Sequence, residues 1–77
     1  MIVTKDERKF LVDTLFQNIV MEQKYKEEAK QTKDKNARMA ALKAKACLDT
    51  MKYVVGHMCS EKAIKEAEDR AQLAMGI

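Results

Sequence analysis

The chain has 77 residues, room for one small domain and no second. With 47% hydrophobic and 35% charged residues at a net charge of +3, it holds too much apolar side chain and too little charge imbalance for an intrinsically disordered segment. The lack of proline and the presence of only two glycines, Gly56 and Gly76, exclude a turn-rich sandwich or barrel. A single helical layer of this size does not readily enclose a substrate pocket.

A chain this short buries only about 60% of the surface that its unfolded form exposes, so it needs a disulfide, a metal or a partner chain for stability. Two cysteines, Cys47 and Cys59, stand twelve positions apart. No apolar segment precedes Thr4 and no apolar run approaches the length of a membrane span. The expectation is therefore a cytoplasmic protein with reduced thiols and no membrane partner, in which self-association supplies the missing stability.

The first helix is predicted over about residues 5–31. Thr4-Lys5-Asp6-Glu7 has capping-box spacing, and Asp6 and Glu7 place negative charge at the positive end of the helix dipole. Leu11, Val12, Leu15, Phe16, Ile19 and Val20 then recur at helical spacing, with Phe10, Met21 and Tyr25 to one side. From Glu22 to Asn36 the only apolar residues are Tyr25 and Ala29. Gln, Lys and Glu keep that stretch helical at first, and Thr32 to Asn36 reads as the turn, with the next N-cap at Asp34 or Asn36.

The second helix, about 37–59, carries the most regular pattern. Ala37, Ala41, Ala44, Leu48, Met51, Val55 and Met58 form a heptad seam with alternating spacings of four and three. A second apolar row, Met39, Leu42, Ala46 and Tyr53, lies nearly opposite, so this helix is expected to be packed on two sides and to be the central element. The seam loses phase near Cys59. Apolar positions restart at Ile64, Ala67, Ala71 and Ala74, which predicts a third helix over about 61–75 with Ser60 as its N-cap and Gly76 at its end.

Little in the sequence points to chemistry. His57 is the sole histidine, and on a helix it points about 200° away from Cys59. Cys47 and Cys59 read as small buried hydrophobes, and no C-x-x-C or H-x-x-x-H pair is present to hold a metal. No catalytic residue, cofactor site or metal site is assigned, and no glycine-rich phosphate loop occurs. The adjacent acids at Glu27-Glu28 and Glu66-Glu68-Asp69 read as solvated helix faces.

Charge is unevenly distributed. Residues 24–45 carry eight Lys or Arg against three acids, while the segments on either side are close to neutral. In a helical hairpin all eight, Lys24, Lys26, Lys30, Lys33, Lys35, Arg38, Lys43 and Lys45, gather at the turn end, and the first six form a candidate partner-binding tip. All but one of the eight are lysine, and base-edge readers favour Arg, Asn and Gln.

The sequence thus predicts one all-α domain over residues 1–77: a long antiparallel helical hairpin plus a short C-terminal helix, packed as a homo-oligomeric bundle with a dimer favoured. Ala41, Ala44, Leu48, Met51, Val55 and Met58 are its expected oligomer interface. The expected function is a non-enzymatic protein-binding module, a regulator or inhibitor acting by occlusion, of the kind found among phage or mobile-element accessory proteins. One alternative is a sequence-independent nucleic-acid-binding accessory that uses the basic tip. The other is a structural coiled-coil subunit.

Overall fold

The computed structural model describes residues 3–76. Those residues are all-helical: α1 (Lys5–Thr32), α2 (Lys35–Met58) and α3 (Glu61–Met75). Each boundary has a local cause. At the start of α1 the Thr4 hydroxyl accepts from the Glu7 N–H at 3.1 Å, and the Glu7 carboxylate accepts from the Thr4 N–H at 3.4 Å, the reciprocal box expected from the sequence. The helix runs one residue beyond the predicted end, with the Thr32 hydroxyl donating to the Glu28 carbonyl at 2.9 Å.

Lys33 stops α1 by adopting the left-handed conformation at φ 53°, and its N–H donates to the Ala29 carbonyl at 3.2 Å. Asp34 then caps α2 by accepting from the Asn36 N–H at 3.1 Å. The whole turn is therefore Lys33-Asp34, and α2 begins two residues earlier than predicted. Ser60 holds the N-cap position of α3 without a side-chain cap hydrogen bond, and Gly76 ends that helix at φ 73°.

α2 folds back along α1, and α3 returns beside α1. Arg8 bonds Glu66 and Asp13 bonds Arg70, so residue numbers rise together on α1 and α3 and these two helices are parallel. The core holds Val12, Leu15, Leu48, Val55, Ala63 and Ala67, with Leu11, Phe16, Ile19, Met51, Cys59 and Ile64 packed around them. Burial of a leucine such as Leu15 contributes about 1.5–3 kcal/mol. On α3, Ala63, Ala67 and Ala71 lie on one stripe and are fully buried, and their small side chains let the two backbones approach closely.

The expectations for the central helix and for Cys47 are corrected. The central element is α1, which packs against both other helices, whereas α2 and α3 touch little. Leu48 and Val55, expected at an interface between copies, are buried within the chain itself. Met51 packs on the same core, Ala41 and Ala44 are half-buried farther along the hairpin, and Met58 is partly exposed. A heptad seam specifies that a helix packs there, and the Leu11-Leu15-Ile19 stripe of α1 supplies the facing side.

The second apolar row of α2, expected to need a neighbour beyond the hairpin, lies open in the single chain: Met39, Leu42 and Tyr53 are 50%, 65% and 68% exposed. On α3, Ala67 and Ala71 are buried and Ile64 packs on the core as expected, while Ala63 joins the stripe and Ala74 is exposed. Finally, Cys47 is exposed and only Cys59 is half-buried, so the reading of both as buried hydrophobes fails for Cys47.

Candidate functional site

The α1–α2 hairpin is much longer than α3. At 1.5 Å per residue α1 is about 42 Å long and α3 about 22 Å. Arg8–Glu66 and Asp13–Arg70 set offsets of 58 and 57 residues, which put Met75 level with Gln17 or Asn18 of α1. Beyond that level the hairpin has no third helix among the described residues, and no residue from Phe16 to Cys47 is buried.

In this uncovered half, an open groove of about 660 Å³ runs between α1 and α2. Glu22, Lys26, Ala29, Lys30 and Lys33 line it from α1, and Arg38, Ala41, Leu42 and Lys45 from α2. The small side chains Ala29 and Ala41 are half-buried and make its floor, while the cations are exposed along its edges. Five cations thus surround the groove against the single carboxylate of Glu22.

Among the described residues the ion pairs are Arg8–Glu66 at 2.9 Å and Arg70–Asp13 at 2.6 Å, both between α1 and α3. The Arg70 guanidinium also lies 4.7 Å from the centroid of the Phe16 ring, which ties α3 to α1 again. Among the described residues no Lys or Arg of the tip takes part in a salt bridge. Like charges held on two adjacent helices raise the local positive potential well above what the net charge suggests.

The tip residues named from the sequence therefore divide. Lys26, Lys30, Lys33 and Arg38 line the groove, whereas Lys24 and Lys35 are exposed outside it. Lys45, which the sequence gathers at the turn end without counting it among the six tip residues, joins the wall, whereas Ala29 and Leu42 were not assigned to the site from the sequence. Ala29 does stand out as the lone small apolar residue in a polar stretch, and Lys45 stands seven residues after Arg38, on the same helix face. Ala41, assigned to the oligomer interface, instead contributes to the groove floor.

The other candidate groups are placed without forming a site. His57 is exposed, with its ring centroid 4.4 Å from that of Tyr53, and no cluster of three or more His, Cys, Asp or Glu suited to a metal occurs among the described residues. No helix of these residues is long and apolar enough to cross a membrane. No family model matches the chain, and no curated protein or solved structure matches it either.

Proposed function

We propose that this chain is a small non-enzymatic binding module that engages a protein partner through the hairpin tip and regulates or inhibits it by covering its surface. The observation that supports this reading is the segregation of unpaired cations around an apolar-floored groove, in the half of the molecule that holds no core. Such a groove combines an area to be buried with charges that orient and accelerate encounter. An accessory role of the kind that phages and mobile elements encode is consistent with a module that acts by contact alone.

A second reading, sequence-independent binding of nucleic acid, draws support from the same lysines, which suit phosphate contacts. The apolar floor and the single arginine among the groove cations favour the protein partner. The third reading, a structural coiled-coil subunit, predicts self-assembly without an external target, and the burial of Leu48 and Val55 within the chain gives it less support.

Affinity capture with the intact chain, beside a Lys26→Glu/Lys30→Glu/Arg38→Glu variant, tests the proposal. The expected result is a defined protein retained by the unaltered chain after nuclease treatment and lost from the variant, with helicity unchanged because the three positions are exposed. Retention that nuclease abolishes and that declines linearly in log salt would assign the tip to nucleic acid instead.

A further inference from the structure

We infer that the occupant of the tip groove is an acidic amphipathic helix, seated on the hairpin where α3 would lie if it were longer, so that the two-helix half becomes a three-helix bundle. The inference rests on the protein-binding reading above and gives the partner its chemistry.

The seat of α3 and the groove are one continuous strip. At about 100° per residue, Arg8, Ile19, Lys26 and Lys30 share a face of α1, and Gly56, Lys45 and Arg38 share a face of α2. The lower members of each set meet α3: Arg8 bonds Glu66, and a Cβ placed on Gly56 would lie 3.3 Å from Ile64 Cδ1. The upper members line the groove. Gly76, with its positive φ, ends α3 before it reaches that stretch.

Packing and charge then define the occupant. Along its seat α3 presents alanines at Ala63, Ala67 and Ala71, and the larger Val12, Leu15 and Val55 fill the space from the hairpin. In the groove the hairpin itself supplies the alanines, Ala29 and Ala41. The occupant must therefore bring leucine- or methionine-sized side chains at helical spacing. The edges of α3 are held by one acid-to-base and one base-to-acid pair, whereas the groove edges offer five cations and one acid. Complementarity asks for Asp or Glu on both flanks of the incoming apolar stripe. From Glu22 to Lys33 the groove is about 17 Å long, which matches a helix of three to four turns.

Binding of labelled designed 14-residue peptides to the full chain, followed by fluorescence anisotropy and circular dichroism, tests this. The set comprises a leucine-striped helix with glutamate flanks, the same stripe with lysine flanks, and a scrambled glutamate peptide of identical composition, beside a 14-base-pair DNA duplex. The glutamate-flanked helix is expected to bind at least about tenfold more tightly than the scrambled peptide and the duplex, and to gain helicity on binding. Charge reversal by Lys26→Glu/Lys30→Glu/Arg38→Glu should switch the preference to the lysine-flanked helix, a gain of binding that a misfolded variant would not produce. Equal binding of the scrambled peptide, tighter binding of the duplex, or no peptide binding at all would overturn the helix seat. The protein-binding reading is judged separately by the nuclease-resistant capture described above.

Discussion

The two ends of this hairpin use the same two helices for opposite purposes. At the end formed by residues 5–19, 48–58 and α3, a third helix covers the hairpin, apolar side chains are fully buried, and the ion pairs link α1 to α3. At the end formed by residues 20–47, the hairpin stands alone, with cations along its groove and no buried side chain. One end holds the fold together and the other presents a surface. The stability of the first is what allows the second to hold like charges close together, since their repulsion opposes compaction.

The sharpest way to break that contrast is truncation in each half. Leu15→Ala, at a fully buried position, should cost about 2–5 kcal/mol in urea denaturation. Leu42→Ala, at a position 65% exposed, should change stability by no more than about 0.5 kcal/mol. Equal costs would show that the two ends unfold as one uniformly packed unit. Native-state hydrogen exchange sharpens the same point without mutation. Amides of residues 20–47 should exchange through local opening about tenfold faster than those of residues 11–19 and 48–55, because the exposed half holds few apolar contacts.

Smaller effects test the junctions between the halves. Lys33 sits at φ 53°, a conformation that costs an L-residue roughly 1–2 kcal/mol and glycine almost nothing. Lys33→Gly should therefore raise stability by about 1 kcal/mol in a thermal melt, even though it removes a groove cation. Gly56→Ala should stabilise α2 by somewhat less than about 1 kcal/mol through helix propensity. The contact it meets is Ile64 Cδ1 at 3.3 Å, the end of a flexible side chain that can give way. A lower melting temperature would reveal a tighter α2–α3 junction.

The smallest change is expected at the edge of α3. The side chains of Arg70 and Asp13 are 45% and 37% exposed, so Asp13→Asn should cost at most about 1 kcal/mol, and less at high salt. A larger loss would make the ion pairs, rather than the alanine stripe, the main attachment of α3.

Much of the local structure was legible in the residues themselves. The Thr4–Glu7 box and the Gly76 terminus depend on neighbours within a few positions, where hydrogen-bonding geometry leaves little choice, whereas the cap of α2 was narrowed only to Asp34 or Asn36. The gathering of Lys26, Lys30, Lys33 and Arg38 at the tip was equally legible, because any antiparallel hairpin with a turn near Lys33 brings them together. The groove floor was less so. Ala29 and Ala41 stand on different helices, and nothing local states that they face each other across a gap.

The sequence by itself determined three amphipathic helices, their caps and the concentration of positive charge at one turn, because periodicity, capping and charge are properties of the chain read a few residues at a time. Tertiary structure alone decided that the heptad seam of α2 is covered by α1 within the chain, that α1 is the central helix, and that α3 stops short of the tip. Hydrophobic burial is non-directional. A stripe such as Leu48-Met51-Val55 therefore states that something must cover it, and only the packed arrangement of all three helices shows that α1 does so and that the alanine-floored groove stays open.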